Sequence, residues 1–108
     1  MGFPNNEIVV LDIAGDFAHA RTGNPARKSD LFELGFVEKA DDLVLPLHNE
    51  EDRVRIIKKL VDLKALFSYG PGWSPSELVG YYRDKGLVSG TYRVIAWTSP
   101  ENYRISKQ

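Results

Sequence analysis

Asp12, Asp16 and His19 fall close together, at the end of an apolar run and in the segment that follows it. Two carboxylates and an imidazole can hold a divalent metal or share acid and base duties, so a small metal-dependent or acid/base hydrolase centred on them is one functional expectation. The trio lacks a visible fourth ligand and matches no metal-site spacing with a known mechanism. The plainer expectation is that Asp12 shapes a turn at a strand end and that Asp16 and His19 are polar loop residues, so no catalytic residue, metal or cofactor is assigned. The other histidine, His48, precedes a helix cap and is expected to be exposed or capping. With no cysteine, disulfides, thiolate zinc sites and cysteine nucleophiles are excluded. No Gly-x-Ser-x-Gly elbow, Gly-x-Gly-x-x-Gly loop or Gly-x-x-x-x-Gly-Lys loop occurs. Gly70-Pro71-Gly72 is expected to be a turn between helices.

Recognition offers a second kind of chemistry. All five tyrosines and both tryptophans lie between Tyr69 and Tyr103, and from Gly80 onward Arg83, Lys85, Arg93, Arg104 and Lys107 stand against Asp84 and Glu101, a local balance of +3. Tyr, Trp and Arg are enriched at binding surfaces because each joins a large apolar body to a polar handle. Tyr69, Trp73, Arg83, Arg93 and Arg104 are therefore the expected partner-binding residues, with Tyr69 and Trp73 flanking the Gly-Pro-Gly turn. The competing expectation sends most of these rings into the core. Fourteen Lys and Arg against fifteen Asp and Glu give a net charge of -1 and no global basic field. A protein partner is favoured over nucleic acid on that ground, and the chain is expected to be a binding or regulatory module.

The elements that must position these residues follow from length and periodicity. A chain of 108 residues, 43% hydrophobic and 27% charged, suits one globular domain covering 1–108. Its longest apolar run, Ile8, Val9, Val10 and Leu11, is too short for a membrane span or a secretory core. A soluble, cytoplasmic α+β protein is expected, with two main helices on a small, mainly antiparallel sheet and a C-terminal hairpin. Residues 7–14 have strand composition, 15–29 read as a long loop, and a short or broken helix begins at Ser29. Residues 43–47 suit a short strand that Pro46 confines to an edge or a terminus.

Residues 49–67 carry the strongest pattern. Asn49 caps, Glu50, Glu51 and Asp52 face the positive end of the helix dipole, and two adjacent apolar stripes run through Ile56, Leu60, Leu63 and Phe67 and through Val54, Ile57, Val61 and Ala65. Arg53 and Lys64 lie between the stripes, where their charges can reach water. Ser74-Pro75-Ser76-Glu77 forms a capping box for a helix over 75–85 that Gly86 stops, and Gly80 inside it suggests a close packing contact. Residues 91–98 and 102–106 then suit the two strands of the hairpin.

From Ser29 onward the order helix, short strand, helix, turn, helix, hairpin resembles the winged-helix arrangement. Glu77-Leu-Val-Gly-Tyr-Tyr-Arg-Asp-Lys-Gly-Leu-Val88 is similar to its second helix running into the first wing strand. The resemblance implies that residues 75–85 would enter a major groove and that 98–101 would be a wing tip. Residues 75–85 balance Glu77 and Asp84 against Arg83 and Lys85, so a protein-binding version of the fold is at least as well suited as a DNA-binding one. Gly15-Asp-Phe-Ala-His-Ala-Arg21 is also similar to the strand-to-loop region of some CRISPR-associated RAMP proteins, with no residue role carried over.

Overall fold

The first apolar run becomes β1 (Val9–Asp12), the strand around which the rest is arranged. A computed structural model describes residues 6–40, 42–69, 75–99 and 102–108. After β1 come β2 (Phe17–Arg21), α1 (Pro25–Glu33), β3 (Val37–Lys39), β4 (Asp42–Pro46), α2 (Glu50–Asp62), β5 (Leu66–Tyr69), α3 (Pro75–Asp84), β6 (Arg93–Trp97) and β7 (Tyr103–Lys107). Among the described residues the strands form one seven-stranded sheet in the order β3-β4-β2-β1-β5-β6-β7. Pairings β1–β5 and β5–β6 are parallel and the others antiparallel. Over the described residues the protein is a small single α+β domain with three helices on a mostly antiparallel sheet.

Crossover handedness puts those helices together. The connections β4–α2–β5 and β5–α3–β6 join parallel strands and step the same way across the sheet, so right-handed crossovers place α2 and α3 on the same face. The main core shows the result: Leu31 of α1, Ile56, Ile57 and Leu60 of α2, and Leu78, Val79 and Tyr82 of α3 share one cluster with Val10, Ala18, Ala20, Phe67 and Val94 from the sheet. Alternation along the strands turns Val9, Leu66 and Ile95 to the other side, where they form a second cluster with Leu11, Trp97 and Tyr103. No helix contributes to that second cluster among the described residues.

Local chemistry explains most boundaries. The Asn49 side chain accepts from the Asp52 amide at 2.8 Å, and the Asp52 carboxylate accepts from the His48 amide at 3.2 Å, so His48 belongs to the cap. The three helices of the described residues end in the same two-bond closure, in which the residue three beyond the last helical one bonds back six positions inclusive and its predecessor bonds inside it. Phe36 and Gly35 bond to Leu31 and Phe32, Ala65 and Lys64 to Leu60 and Val61, and Leu87 and Gly86 to Tyr82 and Arg83. Gly35 and Gly86 supply the left-handed conformation, as expected for Gly86, but at α2 a lysine does so, Lys64 with φ 61°.

That lysine corrects the expected helix over 49–67, which stops at Asp62. Leu66 and Phe67 are fully buried in β5, paired with Val9 and Val10 on one side and Arg93 and Val94 on the other. The expected long loop over 15–29 instead supplies β2 and the start of α1, whose N-cap is Asn24 accepting from Ala26 at 2.9 Å, with Pro25 in the first turn. Pro46 stands at a strand terminus opposite Phe17, as allowed for, although β4 is interior. Arg53 differs from its expected solvent role: its guanidinium donates to the carbonyls of Ile13 at 2.9 Å and Gly15 at 2.8 Å, tying α2 to the β1–β2 turn. The winged-helix expectation is not met, because a buried strand of the sheet, β5, separates α2 from α3. The Ser74 capping box lies outside the described residues.

Candidate functional site

A bulge ends β1: Val10 pairs with Ala20, and the next matched pair is Asp12 with His19. Bulges re-aim side chains and recur beside active sites, so this is where the hydrolase expectation meets the structure. Asp12 accepts the Ala14 amide at 2.9 Å, a turn-forming bond two residues on, as expected of a strand-end aspartate. His19 is not a loop residue: it stands on β2 between Phe17 and Arg21, half-buried, with the Phe17 ring edge-on at 6.5 Å. Asp16 is exposed in the connecting turn, where its carbonyl accepts the Leu47 amide at 2.8 Å. Among the described residues no three histidine, aspartate or glutamate side chains are grouped to hold a metal ion.

The C-terminal arginines take different directions. Arg83 lays its guanidinium 5.1 Å from the centre of the Tyr92 ring, on the helix side. Burial holds the Tyr92 hydroxyl above its ordinary value, against the opposing pull of Arg83, and that hydroxyl donates to the Ser76 carbonyl at 3.3 Å. Gly80 is explained by the same ring: a Cβ there would meet the Tyr92 hydroxyl at 3.1 Å. Lys85 sits 5.0 Å from the Tyr81 ring centre, and hydrogen bonding and charge from Tyr81 raise its ammonium above the usual lysine range. Arg104 is exposed opposite Ala96, on the Val94 side of the sheet. Arg93 points to the helix-free side, ion-paired with Glu7 and donating to the Lys64 carbonyl. The fold thus separates Arg93 from Arg83 and Arg104. Tyr69 ends β5 beside Ala96, and its side chain, like Trp73 and the Gly-Pro-Gly turn, lies outside the described residues.

The helix-free face gathers what the sequence left scattered. Phe17 is 46% exposed, Val37 57% and Ile105 43%. Between them lie half-buried Leu11, Trp97 and Tyr103, with the Trp97 and Tyr103 rings edge-to-face at 5.3 Å over the fully buried second cluster. Arg21 pairs with Asp42 at 2.7 Å within the face. Lys39 and Lys107 stand near its two edges with no carboxylate partner among the described residues. On the helix side, a groove of about 590 Å³ runs along α2 beside Leu87 and is lined by both charge signs, Glu50, Arg55, Lys58 and Asp62 among them.

The hairpin was legible as two strands with a turn. Which of its residues face away from the helices depends on register, and a one-residue slip reverses every side chain. Sequence alone therefore does not mark Trp97, Tyr103 and Ile105, although Val94 and Ile95 side by side in one strand signal apolar contact on both faces. Compared with protein-family models, curated proteins and solved structures, the chain matches none.

Proposed function

We propose that the protein is a binding module that takes a partner protein on the helix-free face of its sheet. One observation carries the reading: the parallel strands β1, β5 and β6 are apolar on both faces, yet helices cover one face only among the described residues. Parallel strands of this composition are normally covered on both sides. The occupant this face suits is an amphipathic segment of another protein, apolar along its middle and acidic at both ends. Seven strands span about 29 Å at the usual strand spacing, close to the length of a helix of about 20 residues. The acidic ends would meet Lys39 and Lys107. Nucleic acid is the poorer fit, since Arg21 and Arg93 are neutralised by Asp42 and Glu7 and the net charge is -1.

A photo-crosslinking residue at Phe17, compared with one at Lys58 on the outer side of α2, tests this in native cell extract with and without nuclease. A discrete protein adduct from position 17 alone, insensitive to nuclease and with an acidic amphipathic segment at the joined site, is expected. Equal labelling from both positions, or an adduct that nuclease removes, contradicts it.

The bulge that sets Asp12 against His19 favours a second reading, a small hydrolase at Asp12, Asp16 and His19. Calorimetry with manganese or zinc separates the two. Micromolar binding abolished by His19→Ala supports the hydrolase, and its absence leaves that reading without support.

A further inference from the structure

The two edges of the sheet differ in what their outer backbone offers. Tyr92 and Gln108 exchange two backbone hydrogen bonds, of 3.4 and 2.9 Å, which makes them a hydrogen-bonded pair in the β6–β7 ladder. Alternation along an antiparallel ladder then aims the backbone groups of Arg104 and Ser106 inward at β6, and those of Tyr103, Ile105 and Lys107 outward, away from the sheet. Five successive residue pairs join β7 to β6 without a bulge, and among the described residues nothing pairs with the outer side of β7.

We infer that β7 pairs antiparallel with β7 of a second copy about a twofold axis at Ile105, making a symmetric dimer with one continuous sheet. In that register the outward groups all find partners: Ile105 meets its own copy, and Tyr103 and Lys107 meet Lys107 and Tyr103 of the other chain, each pair exchanging two hydrogen bonds. The side chains agree. Exposed Ile105 packs on its counterpart, the Lys107 ammonium lies against the other chain's Tyr103 ring, and Arg104 faces Ser106, so no like charges oppose. The other edge, β3, has three residues, and antiparallel pairing about its centre would set Glu38 against Glu38. A symmetric pair therefore forms through β7 and closes on itself, whereas a β3–β7 contact would run on into a filament. The axis stands perpendicular to the sheet, so both helix-free faces lie on the same side. The dimer goes beyond the binding function proposed above and does not depend on it.

The test uses the purified full chain alone. Sedimentation equilibrium over a hundredfold concentration range should show the mass rising from 12.2 kDa to twice that value and stopping there. Ile105→Arg, which opposes two cations on the axis and alters only an exposed side chain, should remain monomeric throughout with its circular dichroism unchanged. Because the chain has no cysteine, Ile105→Cys places a single thiol at the axis. It should oxidise to a covalent dimer at least tenfold faster than Glu38→Cys. A mass fixed at that of the monomer, an open-ended rise in mass, or equal oxidation rates at the two positions would overturn the dimer.

Discussion

The two faces of the sheet are built from the same strands and differ in almost everything else. Along β2 the residues turned to the helices are Ala18 and Ala20, both fully buried, while those turned away are Phe17, His19 and Arg21. The small side chains leave room for the larger ones of the helix layer, with which they share one cluster. Large amphipathic ones on the reverse leave a surface part apolar and part charged. The helix side is filled mainly by Leu, Ile and Val in a single cluster, whereas on the other side Val9, Leu66 and Ile95 form a smaller one beside the Trp97–Tyr103 ring pair. The covered face holds the larger core, and the other is the proposed binding surface.

Substitutions should reproduce that division. Leu60 is fully buried among all three helices and the sheet, so Leu60→Ala should cost about 2–5 kcal/mol, read as a lower denaturation midpoint. An unchanged midpoint would mean that the covered face is not the stabilising one. Ala20→Leu should cost about 1–3 kcal/mol by crowding the helix layer. If it costs nothing, the helix layer is not packed tightly over the alanines.

The α2 stripes, the Asn49 cap, the Gly86 stop, the C-terminal hairpin and the α+β class were all legible in the sequence, because each rests on a local rule. β5 was hidden for an equally physical reason. Phe67 continues the α2 stripe in phase, and the left-handed stop is carried by Lys64, whose side chain gives no sign of one. Lys64→Gly relieves that conformation and should raise stability by about 0.5–1 kcal/mol, net of the entropy glycine loses on folding. β2 gives little sign of itself because its buried positions are alanines, which do not stand out as a hydrophobic alternation. The candidate surface was least legible, since it depends on which way each strand faces.

Tyr92 offers a pH-dependent check on the helix side. Burial raises its folded value above the ordinary 10.0, so above that pH the unfolded chain gives up the proton first and the folded state holds it. Stability should therefore fall as the pH rises beyond about 10 and into the raised range. Tyr92→Phe should flatten part of that fall while losing the bond to Ser76 at neutral pH. A stability curve with the same alkaline slope in both proteins would contradict the buried assignment. Since Asp52 is held below the ordinary carboxylate range by Arg55 and the His48 amide, the opposite sign applies at the α2 cap, whose contribution is lost as pH falls through that lowered value.

The most direct test of the division between the faces is one substitution read twice. Phe17→Asp puts a charge on the helix-free face at a residue 46% exposed. Its denaturation midpoint should stay within about 0.5 kcal/mol of the unsubstituted protein, while affinity for the partner identified by crosslinking should fall by about 2 kcal/mol. Unchanged affinity at unchanged stability would contradict the assignment of binding to this face.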